Sequence, residues 1–392
     1  MQPLQIDLNT DLKRLRDEGY EIEVMGGHIR VHHIPYVNNA RKIAYGALVS
    51  ELNQSNGRTL PPPTHVIFFI GDHPCNQDGS IMTGIQHGSA TQTIAEGITV
   101  NHSFSNRPPN GYKDYFEKIS RYADMISAPA VSLDVTVTAK TFRPVPENNI
   151  ESVFHYLDTN ASRANIQAIS SKFKGQKIAI IGMGGTGAYI LDQVAKTPVA
   201  AIHIYDGDRF LQHNAFRAPG AAAIEQLDGT LTKVAYYHQI YSRMHRNIIA
   251  HDCYVDESNF MELQDYDYVF VCIDKNRIRL SVIAFLVKNN VSCIDVGLGV
   301  IVAENNLVGT VRVTLGTFQK NDHIKLRISG SDEEVENEYN TNIQIAELNG
   351  LNAMLAVIKW KKLTGFYQDV KEEHHTTYSI NVSQLLNEDT AA

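Results

Sequence analysis

The pattern of apolar and polar positions divides the chain near residue 146. In the first part, Asp11–Gly19 reads as a short helix closed by glycine. Tyr20-Glu-Ile-Glu-Val-Met alternates, Gly26-Gly27 turns, and His28-Ile-Arg-Val-His-His-Ile alternates again, which is the signal of a β-hairpin. Asn39–Leu52 is expected to be helical. The apolar run His65-Val-Ile-Phe-Phe-Ile70 reads as a strand ending in the loop Gly71-Asp-His-Pro-Cys-Asn-Gln-Asp-Gly79. A helix near Tyr112–Met125 and a strand over Val131–Thr138 complete an expected α+β domain, residues 1–145.

In the second part, residues 146–392, the period changes. A proline-bearing linker, residues 143–152, leads into Ile150–Phe173, which is expected to be mostly helix. Strands then alternate with helices: the strand starting at Lys177, a helix from Ala188, strand Val199–Tyr205, helix Leu231–Arg243, a strand within Asn247–Val255, strand Asp267–Ile273, helix Ile278–Asn289 and strand Val291–Gly297. That alternation predicts a parallel, doubly wound α/β sheet, whose ligands sit beyond the carboxyl ends of the strands. An acidic run, Ser329–Glu338, reads as a loop. A long helix over Ile343–Thr364 and a terminal strand carrying His374-His375 follow, with the two histidines expected at the surface.

Composition narrows the classes. At 392 residues about two domains are expected, and 43% hydrophobic with 20% charged residues fits a globular protein. A formal charge of −8 disfavours a nucleic-acid or membrane-surface role, because phosphate binding needs clustered Lys and Arg. The first residues lack the pattern of a signal peptide, and no apolar run reaches membrane-spanning length. The cysteines, Cys75, Cys253, Cys272 and Cys293, form no C-x-x-C pair, which argues against a disulfide framework and an all-cysteine zinc site. A cytoplasmic protein with reduced thiols is the expectation.

The chemistry gathers at the ends of the second-part strands. Lys177-Ile-Ala-Ile-Ile-Gly-Met-Gly-Gly-Thr-Gly187 runs from a strand through Gly182, Gly184, Gly185, Thr186 and Gly187 into a helix. Such a turn aims backbone N–H groups and a helix N-terminus at a phosphate. Gly182-x-Gly184-x-x-Gly187 also fits a nicotinamide dinucleotide site, with Asp206 as the ribose carboxylate. Arg217 and Lys233, following close after Asp206-Gly-Asp208, change that reading. An NAD site has little need of them, whereas a triphosphate reacting at its α-phosphorus requires cations. Asp274, at another strand end, is then a candidate Mg²⁺ ligand. Each residue has a plainer reading too: Asp206 as a turn cap, Lys233 as a solvated helix residue, Asp274 as an N-cap.

The order of these motifs resembles the E1/ThiF/MoeB superfamily, the adenylating enzymes of ubiquitin-like modifiers and sulfur carriers. The resemblance spans about residues 160–315 and extends to the helix near 341–362. It implies a Rossmann-like adenylation domain that uses ATP and Mg²⁺. The backbone of Gly182–Gly187 would hold the nucleotide and Asp206, with Asp208 beside it, would sit at the ribose. Asn214 and Arg217 would contact phosphates, Lys233 would stabilise pyrophosphate charge, and Asp274 would hold Mg²⁺, with Arg279 as the arginine after the aspartate. Arg163 is the candidate to reach the nucleotide of a partner copy in a homodimer. The partner implied is a ubiquitin-like or other small protein with a free C-terminus, with an E2-like transfer partner after it. Lys275 and Ala218 depart from the family pattern, and its C-x-x-C zinc site is absent.

The first part resembles a domain of bacterial ThiF-like proteins, and partner recognition is its candidate role. Its loop offers Asp72, His73 and Cys75, with His87 and His102 elsewhere, but no metal-motif spacing. Cys75 is the candidate transfer thiol, because loops at strand ends are accessible. Cys253, Cys272 and Cys293 read as structural. Two rival functions stay open: an NAD-dependent oxidoreductase, and an inactive scaffold of the same fold.

Overall fold

The computed structural model describes residues 6–144, 152–328 and 343–390. The chain folds as two compact units, Met1–Asn149 and Ile150–Ala392.

The first unit is α+β. Its six-stranded antiparallel sheet runs, edge to edge, Glu21–Met25, His28–Val37, Ile43–Glu51, Val66–Ile70, His102–Ser105 and Gln86–Gly88. The expected helix over Asn39–Leu52 is in fact a strand. Its pairing with Val66–Ile70 is close enough that a Cβ on Gly46 would stand 2.5 Å from the Ile70 carbonyl oxygen. The expected strand over Val131–Thr138 is also corrected. Helix Tyr115–Leu133 continues through Pro129 and ends at Asp134. Its start is fixed by Asp114, whose carboxylate accepts from the Glu117 N–H at 2.8 Å. Ile119, Tyr122, Ala123, Ile126 and Ala130 repeat at helical spacing and are all buried, so sheet packing overrides the β-branched run near the helix end.

The expected linker falls largely on residues outside the described set. From residue 152 onward the expected single helix is instead three short ones, Thr159–Arg163, Gln167–Ser170 and Ser171–Phe173. Asn165 adopts a left-handed φ of 57° between the first two and interrupts the helix.

The second unit is built on an eight-stranded sheet. Five parallel strands lie in the order Ile248–His251, Ala201–Tyr205, Lys177–Ile181, Tyr268–Val271 and Ser292–Ala303. Asn306–Gly316, Glu373–Ser379 and Gln384–Thr390 extend it antiparallel. The sheet is covered on both faces. Ile178 and Ile180 point into the cluster that contains Leu191 and Trp360, while Ala179 and Ile181 point into the one with Val282 and Leu286. The long C-terminal helix is Ala346–Leu363. His374 and His375 are buried, not at the surface, because their strand lies inside the sheet between two neighbours. The acidic run Ser329–Glu338 lies outside the described residues. No helix among the described residues is long and apolar enough to cross a membrane.

Candidate nucleotide site

Three adjacent parallel strands end at one rim. Strand Lys177–Ile181 delivers the glycine turn, Ala201–Tyr205 delivers Asp206, and Tyr268–Val271 delivers Asp274. The turn needs its glycines. Gly182 has φ +92°, and a Cβ there would stand 2.5 Å from the Cys272 carbonyl oxygen. A Cβ on Gly187 would land on the Gly182 carbonyl oxygen, whereas Gly184 faces open space. Helix Gly185–Val194 begins directly after Gly184 with no side-chain cap among the described residues, and the first N–H groups of a helix have no partner within it.

Asp206 is buried and fastens the turn. Its Oδ2 accepts from the Met183 N–H at 2.7 Å and its Oδ1 from the Asp208 N–H at 2.8 Å. Lys233 opens helix Lys233–Tyr241, which Thr232 caps through the Ala235 N–H. The lysine is buried rather than solvated: its Nζ lies 2.6 Å from Asp208 Oδ2 and 3.4 Å from Asp206 Oδ2. Tyr254 also donates to Asp208, and its ring packs against Gly207. Burial by itself would raise the Asp208 carboxyl, but the bonds from Lys233 and Tyr254 outweigh it and hold it below its usual value.

Arg217 lies in the loop between these elements. Its Nε is buried and has no hydrogen-bond partner among the described residues. Asn214 is buried, and its Oδ1 accepts from the Leu211 N–H, fixing the loop that carries Arg217. Asn349 joins that loop to the glycine turn. Its Oδ1 accepts from the Thr186 hydroxyl at 2.9 Å, and its Nδ2 lies 3.5 Å from the Arg217 carbonyl oxygen.

A cleft opens beside the turn, lined by Gly184–Gly187, Asp274, Arg279, Gly297, Gln344, Asn349 and Asn352. Asp274 is exposed. Asn352 is fully buried, donates from Nδ2 to the Gly297 carbonyl at 3.1 Å, and has no partner for Oδ1 among the described residues. Gln344 Oε1 is buried and likewise has no partner among the described residues. Sequence reading missed Asn349 and Asn352. The signal was present: two asparagines three residues apart within an otherwise apolar helix face need buried partners.

Arg163 is exposed at the end of its helix and is not among the cleft residues. Cys75 is buried, not accessible: backbone bridges to Val37 and Ile81 enclose it, and its Sγ donates to the His73 carbonyl at 3.2 Å. Burial first, then Asp78 and Asp72, push its thiol up, away from the reactive thiolate. Cys253 is the exposed one. Among the described residues no cluster of three or more His, Cys, Asp or Glu is arranged to hold a metal.

The donor set fits a nucleoside triphosphate. A glycine turn with one open position, an orphaned guanidinium N–H and a buried lysine offer positive ends to phosphate oxygens. Asp274 is the one carboxylate among the described residues lining the cleft, and one or two carboxylates are what Mg²⁺ commonly takes from a protein.

Comparison with known proteins agrees with the fold. The model of the ThiF family matches residues 159–370, and one described as "Domain of unknown function (DUF6791)" matches residues 10–159. Ubiquitin-like modifier-activating enzyme 5 of Drosophila virilis is 22% identical over 161 residues, covering 38% of this chain and 39% of that protein. The same enzyme of Drosophila mojavensis is 21% identical over 161 residues, with the same coverage. The chain thus spans 39% of the length of these curated relatives. Among solved structures, Escherichia coli MccB is 15% identical, with a TM-score of 0.48 over 62% of this chain and 70% of that one. PaaA is 14% identical, with a TM-score of 0.47 over 69% and 83%. With the family match extending over more than half its length, the chain belongs to the ThiF family.

Proposed function

We propose that the second unit binds ATP and adenylates the C-terminal carboxylate of a ubiquitin-like modifier, sulfur carrier or peptide. A carboxylate oxygen attacks the α-phosphorus, the bond from that phosphorus to the bridging oxygen breaks, and pyrophosphate leaves. The product is an acyl-adenylate. The protein's part is positioning and charge stabilisation, so no general base is required.

One observation carries this reading. Arg217 Nε is buried without a partner among the described residues, and Lys233 is buried against Asp208 and Asp206, the carboxylate that fastens the glycine turn at Met183. An unspent guanidinium N–H together with a buried lysine suits a transition state with charge spread over phosphate oxygens, and a hydride-transfer site has little need of them. In this reading the glycine turn cradles the phosphates, Asp206 takes the ribose, and Asp274 is the carboxylate for Mg²⁺. Arg279 steadies the Asp274 loop, and Arg163 reaches the nucleotide of a second copy. The unpartnered Asn352 Oδ1 and Gln344 Oε1 suit the N–H groups of an extended acceptor tail. The first unit selects the acceptor.

Calorimetry with ATP and with NAD tests the ligand. ATP is expected to bind and NAD not to, and Arg217→Ala should weaken ATP at least about tenfold, the loss of a charged hydrogen bond. Preferential binding of NAD would overturn the reading.

A further inference from the structure

Behind the Asp274 loop lies a buried charged trio. Asp295, in strand Ser292–Ala303, has a side chain only 1% exposed. Its Oδ2 meets Arg312 Nη2 at 2.6 Å, and its Oδ1 lies 3.5 Å from Arg279 Nε. These are charge contacts without well-aligned hydrogen bonds. Arg279 spends its donors elsewhere: Nε and Nη2 both donate to the Ile273 carbonyl, at 2.8 and 2.6 Å. Ile273 is the residue directly before Asp274. A continuous path therefore runs from the sheet interior, through one guanidinium, to the backbone that presents Asp274 to the cleft.

The trio has no evident value for stability. A buried ion cluster is often no better than apolar side chains of the same volume, because desolvation offsets its attraction. Yet the fold makes room for it. A Cβ on Gly297 would stand 2.6 Å from Arg312 Nη2, so a larger residue there would push that guanidinium from its place against Asp295. Arg312 is steadied from its other side, with Nη1 donating to Thr314 Oγ1 at 2.8 Å, which in turn lies 3.0 Å from His375 Nδ1. Burial holds the Asp295 carboxyl above its usual value, although Arg312 and then Arg279 oppose it.

We propose that Asp295 is a positioning residue: by orienting Arg279 on the Ile273 carbonyl, it fixes where the Asp274 carboxylate stands beside the glycine turn. The proposal rests on the reading of Asp274 as the divalent-cation carboxylate of an ATP site. Residues that orient a metal carboxylate typically change metal affinity about 10–100-fold when replaced.

The test uses the full chain with Mn²⁺ as the metal probe. Paramagnetic resonance measures Mn²⁺ affinity in the presence of ATP, and calorimetry in EDTA measures ATP alone. Asp295→Asn should weaken Mn²⁺ at least about tenfold while metal-free ATP affinity stays within about twofold. Asp274→Asn should do the same, and the double variant should be no worse than either single one. Arg279→Lys, which keeps the charge but cannot fork onto the carbonyl, should follow the same pattern and serves if Asp295→Asn does not fold. Additive losses, or Mn²⁺ affinity unchanged in Asp295→Asn or Arg279→Lys, overturn the proposal while leaving the ATP site standing. If the wild-type protein binds no ATP, the functional reading falls and the proposal with it. If ATP binds but Asp274→Asn leaves Mn²⁺ affinity unchanged, the metal role and the proposal fail together.

Discussion

Lys233 Nζ sits 2.6 Å from Oδ2 of Asp208, buried at the rim of the parallel sheet. This ion pair places the cation next to the glycine turn, because the same ammonium also lies 3.4 Å from Asp206, the carboxylate that fastens Met183. Removing the lysine leaves two carboxylates facing one another. Lys233→Ala is therefore expected to lower ATP–pyrophosphate exchange by about 10²–10³-fold. ATP affinity should change far less, since the lysine's charge matters most in the transition state. Exchange assays beside ATP calorimetry check the split.

The glycines of the turn separate folding from binding. Gly187→Ala should destabilise the protein by about 1–3 kcal/mol, because its Cβ overlaps the Gly182 carbonyl oxygen and backbone must move. Gly184→Ala should leave the melting temperature nearly unchanged, as φ is −72° and nothing lies within 4 Å. It should still weaken ATP, because the methyl group fills the space where phosphate would lie. Thermal melts and ATP calorimetry on both variants test this; equal behaviour would contradict it.

Thiol chemistry should rank by burial. Cys253 is exposed, Cys75 and Cys293 are buried, and burial pushes the Cys293 thiol up to about 12. In native protein at pH 8, Ellman's reagent should find one fast thiol, absent in Cys253→Ser. Fast loss of Cys75 instead would restore it as an accessible transfer thiol.

Lys118 supplies a pH signature in the first unit. It is fully buried, donating to Ser50 Oγ and the Thr64 carbonyl, and burial pushes its pKa from 10.5 down to about 8. Between about pH 8 and 10.5 the unfolded chain keeps a proton that the folded one has released, so this group makes stability rise with pH across that window. Relative to wild type, Lys118→Met should therefore look less stable at pH 9.5 than at pH 7, by about 2 kcal/mol. Urea unfolding at the two pH values measures the difference; no change would mean that the lysine is not desolvated.

How legible this fold was depended on how local its causes are. The strand–glycine–helix turn and the aspartates at the strand ends were readable, because a parallel sheet makes each strand a short apolar run and leaves chemistry at its end. Ile43–Glu51 was misread as helix because what makes it a strand lies elsewhere in the chain, in its pairing with Val31 and Phe69. Near Leu133 a β-branched run lost to the packing of the helix before it. In sequence Asp295 is a carboxylate within a mostly apolar strand; its meaning depends on Arg279 and Arg312, which come from a helix and the next strand. Asn349 is similar, since its partners Thr186 and Arg217 lie far from it in sequence.

The central claim is that a C-terminal carboxylate is adenylated at the glycine turn. Its most direct test is exchange of labelled pyrophosphate into ATP, driven by the small-protein fraction of cells that make this protein. The account predicts exchange that depends on that fraction, disappears after carboxypeptidase removes its C-termini, and is lost in Lys233→Ala. Exchange that survives both the carboxypeptidase treatment and the Lys233→Ala substitution would contradict it.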